Sequence, residues 1–228
     1  MKRLAALILG LLSSHAKADS PKLGSDTDIV RQMLFASQSL KELAAHVQPD
    51  AKGGAFQALL NASKLAGEGR KTEAIAQLRS ILEVPPQDTR LVLWVWSALR
   101  ELGEKPDAKH AFEVLGVVIE VPSGGAYDTL AAYVDGTARY LNFSGRAILW
   151  DAEDSTIKAL CQAFVDSTIP ASTQATPRVS LALPRQTIQI TLLTRSGIFV
   201  ISNPPEPVMQ AGVTLMMELM KRTKEGKG

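Results

Sequence analysis

The spacing of apolar positions changes about halfway along the chain. From residue 25 to residue 113 they recur every three or four residues, the signature of helices that bury one stripe. Ile29, Met33, Ala36, Leu40 and Leu43 form one such stripe, which predicts a helix from a Ser25 cap to about His46. Gln48-Pro49-Asp50 stops it, and Gly53-Gly54 makes a corner. Helices are then expected near 55–67, 71–83, 88–102 and 105–113, broken by Gly67 and Gly69, by Pro85-Pro86 and by Gly103. From residue 114 the period becomes two. Strands are expected at 117–121, 129–134, 137–143 and 146–150, with Asp135-Gly136 as a two-residue hairpin turn and Ser144-Gly145 as the next turn. Asp151 caps a helix that carries Ile157, Leu160, Cys161, Phe164 and Val165 on one stripe. A Pro- and Thr-rich linker at 169–177 follows. Strands near 178–183, 186–194 and 198–201 lead to a last helix at 206–222, with Met209, Val213, Met216, Met217 and Met220 along one side. This order predicts an α+β protein: a short helical bundle over 25–113, then an antiparallel β-meander layer domain over 114–228.

The helical half holds a faint internal echo. Gly69 recurs as Gly103, Ala74 as Ala108, Leu78 as Phe112 and Ile81 as Leu115, each 34 residues on. With Leu82 and Pro86 in the first unit and Leu99 in the second, residues 55 to about 116 resemble the tetratricopeptide-repeat family, whose unit is a helix–turn–helix of that period. The pattern departs from the family at Trp96, where a small residue is usual, and at Glu120, where the unit's terminal proline is missing. The resemblance implies a contact surface rather than an active site. Its inner, ligand-facing stripe falls on Arg90, Leu93, Ser97 and Arg100, where the two guanidiniums suit a partner's carboxylates.

The N-terminus supplies an address. Met1-Lys2-Arg3 is basic, Leu4 to Leu12 is apolar, and Ala16-Lys17-Ala18 has the small-residue spacing of a cleavage site. Residues 1–18 therefore read as a secretory signal peptide, and 19–24 as a polar tether. The expected setting is exported or periplasmic, in a bacterial envelope; a cytoplasmic protein with an N-terminal extension is the alternative. The apolar run is far shorter than the roughly 20 residues a membrane-spanning helix needs, so no integral membrane segment is expected in the mature chain. The net charge of +2 creates no strong field for nucleic acid. One cysteine, Cys161, excludes an internal disulfide framework.

No complete catalytic, metal or nucleotide motif is present. Cys161 lies in an apolar stripe, where cysteine acts as a small hydrophobe. His46 and His110 stand apart, Asp151, Glu153 and Asp154 suit a helix start, and Ser123-Gly124-Gly125 lacks the lysine and spacing of a phosphate-binding loop. No cofactor or metal is expected. The reading that follows is a non-enzymatic protein–protein interaction or scaffold protein whose partner is a protein or peptide. The alternative is a small-ligand-sensing or enzymatic α+β domain with accessory helices, which a deep polar pocket in the β-rich half would favour.

Overall fold

The computed structural model describes residues 25–46, 54–84, 88–123, 126–151, 153–184 and 187–224. The leader and tether at 1–24, the corner at 47–53, Pro85-Pro86, Gly124-Gly125 and the chain end from 225 lie outside the described residues. Five helices come first: α1 Ser25–Met33, α2 Leu40–His46, α3 Gly54–Gly67, α4 Lys71–Leu82 and α5 Thr89–Glu101. The strands β1 Val114–Ser123, β2 Ala126–Tyr133, β3 Ala138–Leu141 and β4 Ala147–Trp150 follow. Then come α6 Ser155–Ser172, the short β5 Thr176–Pro177, β6 Gln189–Thr194, β7 Gly197–Ile201 and α7 Glu206–Lys224. The fold is α+β, with the N-terminal helices preceding a meander as expected. Every described strand pairing is antiparallel, in the order β4-β3-β2-β1-β6-β7-β5.

Alternation along the central strands sends side chains to two buried faces. One face carries Val117 and Ile119 of β1, Leu130 and Ala132 of β2, and Ile190 and Leu192 of β6. It is covered by Ile157, Cys161, Phe164 and Val165 of α6 and by Val208, Leu215 and Leu219 of α7. The two helices approach closely at Gly212, where a Cβ would sit 3.2 Å from the Phe164 ring. The other face carries Leu115 and Val118, Ala131 and Tyr133, and Leu193. It packs against Met33, Leu34 and Phe35 at the end of α1 and against Leu93 and Trp94 of α5. A third core, of Leu59 and Ala62, Leu78 and Ile81, and Val95, Ala98 and Leu99, joins α3, α4 and α5. The helical half and the sheet therefore share an apolar layer.

The two glycines of the echo do the same job. Gly69 and Gly103 both have positive φ, +77° and +81°. Each is followed by a residue whose N–H reaches five residues back, Arg70 to Leu65 and Glu104 to Leu99, both at 2.9 Å. This is one helix-ending motif used twice. The copies diverge afterwards. Past Gly69 the chain re-enters a helix, and Ala74 and Leu78 are buried. Past Gly103 the helix expected at 105–113 is absent. Pro106 disfavours the helical conformation at Lys105, which lies outside any helix, and the Asp107 carboxylate accepts the Lys109 N–H at 2.7 Å, making a turn. Phe112 is left 66% exposed rather than packed between helices.

Other differences have local causes. The helix expected over 25–46 breaks into α1 and α2. Met33, Leu34, Phe35 and Ala36 are all buried, and four consecutive residues cannot share one helical stripe. Ala36 takes φ +46° in the turn, and Ser39 restarts the helix in a reciprocal capping box with Glu42. The 133–137 hairpin has three loop residues, not two, because Tyr133 rather than Val134 closes the ladder on Thr137. Asp154, not Asp151, caps α6, its carboxylate accepting the N–H groups of Thr156 and Ile157. That helix also runs through Pro170 into the expected linker. On α7 the buried line is Val208, Gly212, Leu215 and Leu219, which leaves Met217 62% exposed. Residues 178–184 form no strand.

Candidate functional site

The predicted stripe Arg90, Leu93, Ser97 and Arg100 runs along one side of α5, but the sheet covers its first half. Arg90 is 1% exposed and Leu93 is 3% exposed. The Arg90 guanidinium donates to Asp88 at 2.8 Å, lies 3.7 Å from Asp151 and sits over the Tyr133 ring at 5.8 Å. Burial alone would lower its pKa; Asp88, Tyr133 and Asp151 together outweigh that and hold it above the ordinary value. These two residues belong to the interior. Ser97 and Arg100, one and two turns on, are half-buried and open into a groove.

The groove has a volume of about 690 Å³. Ser97 and Arg100 of α5 form one wall, and Gln32 and Ser37 beside the α1–α2 break form another. Ser196 to Phe199, the turn and start of β7, close one end. The opposite wall is the segment 177–182, an extended strap that leaves the sheet edge after the Arg178 N–H bonds Ile198 C=O at 3.0 Å. Val179 on the strap is 97% exposed. Phe199 meets Phe112 edge to face, with ring centroids 5.6 Å apart. Arg100 donates to the Arg195 backbone carbonyl at 2.6 Å, and burial draws its pKa below the usual value.

The strap is held by a buried ion cluster. Glu120 of β1 is fully buried and accepts from Arg31 of α1 and, at 2.7 Å, from Arg178 at the root of the strap. Arg178 also donates to the Thr191 hydroxyl at 2.6 Å and to strap carbonyls at Ser180 and Ala182. Arg31 donates to Leu181 C=O and to Asp28. Phe35 lies against both guanidiniums, 5.7 Å from Arg31 and 4.8 Å from Arg178. Two arginines thus bind one carboxylate and use their remaining donors to pin loop carbonyls. Reading the sequence for motifs missed this cluster. Its one available signal is Glu120, a lone charge inside the apolar run Val117 to Val121. Beyond the strap a second cavity of about 420 Å³ lies between α1, β2 and the β3–β4 turn, lined by Arg31, Tyr127, Thr129, Leu141 and Leu181 among others. The Thr129 hydroxyl is buried there without a hydrogen-bond partner among the described residues.

The remaining candidate groups are placed as follows. Cys161 is buried against the carbonyls of Gly136 and Thr137, and burial pushes its thiol up to about 12. It is therefore protonated and a poor nucleophile. His110 is exposed, 3.6 Å from Glu113. Asp135 accepts from the N–H groups of Thr89 and Thr137 and from the Thr137 hydroxyl. Asp128 accepts the Phe143 N–H at 2.9 Å. Among the described residues no three His, Cys, Asp or Glu side chains are grouped to hold a metal ion, and no helix is long and apolar enough to cross a membrane. The chain matches no protein-family model, no curated protein and no solved structure.

Proposed function

We propose that this is a non-enzymatic protein–protein interaction or scaffold protein that holds a protein or peptide segment in the groove between α5 and the strap. The supporting observation is that Ser97 and Arg100, on the inner stripe that the tetratricopeptide resemblance marks, line that groove. An extended, exposed segment forms the facing wall. The helical hairpin α3–α4 and its glycine turn stand as the tetratricopeptide-like part. The setting we propose is the bacterial envelope, on the leader-like residues 1–18. Placing a photocrosslinking amino acid at Ser97 in the native host tests this. Specific adducts should form from position 97 and not from Ala159, which is exposed on the far side of the sheet. Equal labelling from both positions overturns the groove assignment. The intact mass of the purified protein reports in the same preparation whether residues 1–18 have been removed.

A second reading, small-ligand sensing, is favoured by the 420 Å³ cavity, a size within the roughly 300–1,000 Å³ of ligand sites, with the unpartnered Thr129 hydroxyl in its wall. Native mass spectrometry of protein purified from its host separates the two readings, because a retained small molecule supports the second alone.

A further inference from the structure

We infer that the segment bound in this groove presents a carboxylate to Arg100 beside a bulky apolar side chain, an inference that rests on the partner-binding reading above. Charge carries the argument. Among the described residues Arg31, Arg90, Arg139, Arg178, Arg195 and Arg222 are buried or half-buried, and each has a carboxylate partner. Arg100 is half-buried and has no carboxylate partner among the described residues. Its described acceptor is a single neutral carbonyl, which leaves most of a guanidinium's five donors to the groove. A cation withdrawn from water without a counter-charge is the complement of an anion. Ser97 lies one turn before it on the same stripe, with Ser37 and Ser196 on adjoining walls, so the surroundings are hydroxyl-rich rather than acidic.

The size of the charge selects the anion. Arg178 and Arg195 are committed to Glu120 and Glu113. Among the described residues of the groove one positive charge therefore remains, which balances a carboxylate and not a phosphate dianion. The rim supplies the second requirement. Val179 stands almost wholly in solvent, and the Phe112–Phe199 pair offers an exposed aromatic edge beside the polar floor. An exposed apolar rim around a polar anchor fits a peptide whose acidic and bulky apolar residues are neighbours. The carboxylate belongs either to an Asp or Glu side chain or to a chain terminus.

The test is selection from random linear peptide libraries, one with blocked and one with free C-termini, against the full chain. Selected peptides are then synthesised in acid and amide forms. The result expected is that the acid form binds the natural protein about tenfold more tightly, the strength of a charge-assisted hydrogen bond. Arg100→Gln, which still has a donor for the Arg195 carbonyl, should bind both forms alike, whereas Arg100→Lys should keep part of the preference. Because the acid-to-amide ratio is read within each protein, a loss of folded material does not imitate the effect. Enrichment confined to the free-C-terminus library identifies a terminal carboxylate, and enrichment in both identifies a side chain. Peptides that bind without acid preference, yet are blocked by Ser97→Trp, overturn this inference and leave the groove reading standing. Preference for phosphorylated over acidic peptides also overturns it, and the absence of any selected peptide overturns both.

Discussion

The two faces of the sheet are made by alternate residues of the same strands, yet they are built on different chemistry. The face under α6 and α7 is apolar: Val117, Ile119, Leu130, Leu192, Phe164 and Leu215 fill it. The face under α1, α5 and the strap mixes Val118 and Tyr133 with Glu120, Thr129, Arg139 and Thr191, all buried. On that face Arg90 Nη1, Arg139 Nε and Thr129 Oγ1 have no hydrogen-bond partner among the described residues. The apolar face needs only volume and shape, so it holds the fold together and tolerates hydrophobic exchange. The ionic face needs specific partners. Buried charges contribute little net stability but fix geometry, and here they fix the strap that walls the candidate site.

Cutting into each face gives the largest effects. Phe164→Ala removes a fully buried ring from the apolar face and should cost about 3–5 kcal/mol. Glu120→Gln takes the counter-charge from the buried Arg178 and leaves Arg31 only the half-exposed Asp28, and should cost a similar ~3–5 kcal/mol. Urea unfolding measures both. The faces are then told apart by repair. Replacing Arg31, Glu120 and Arg178 together with Met, Leu and Met should recover most of the stability, because burying apolar groups of like volume is often neutral. The strap, without its pins, should become readily cleaved by protease at 178–184. A triple variant whose strap stays protected would show that the ions do not position it.

Asp135 joins the ionic face to the helices, and its effect is smaller. Burial alone would raise its pKa, but the N–H groups of Thr89 and Thr137 and the threonine hydroxyls hold it below the ordinary carboxylate value. A depressed folded pKa means that the native state holds the proton less tightly than the unfolded chain. The contribution is thus complete above the unfolded value of about 3.9 and is lost as pH falls through the folded value. Asp135→Asn should cost about 1–3 kcal/mol near neutral pH and should flatten the acid limb of stability against pH. Parallel acid limbs for the two proteins would remove Asp135 from this account.

The apolar face was the more legible in the sequence, and the reason is physical. Period-two alternation in Ile188 to Leu192 and the Ile157 to Val165 stripe are local signals, and both elements stand where that pattern places them apart from their ends. The ionic face depends on residues 58 and 89 positions apart, Arg178 and Arg31 about Glu120. Nothing in the local pattern of a linker arginine says that it will fold inward. The same limit applies on α5. The resemblance marks Arg90, Leu93, Ser97 and Arg100 as one stripe of the helix, but which part of a stripe the sheet covers is a tertiary fact. Only Ser97 and Arg100 reach the groove. The α1–α2 break was readable from four consecutive apolar residues and from the Ser39–Glu42 capping box.

The smallest effects test the echo itself. Gly69 and Gly103 end their helices with the same hydrogen bonds and nearly the same positive φ, one facing a second helix and the other the approach to the sheet. If the backbone conformation is what each position requires, Ala should cost about 1–2 kcal/mol at both, since an L side chain is strained there. Asn, which tolerates the left-handed region, should cost less. Space is not the obstacle: a Cβ at Gly69 meets nothing within 4 Å, and one at Gly103 lies 3.4 Å from the mobile end of Lys71. Thermal unfolding of the four single variants therefore separates the causes. Asn milder than Ala at both positions assigns one backbone motif to both copies of the echo. Asn milder at Gly69 alone would make the echo at Gly103 a matter of sequence without the matching constraint, and the comparison between the two helix ends would fail.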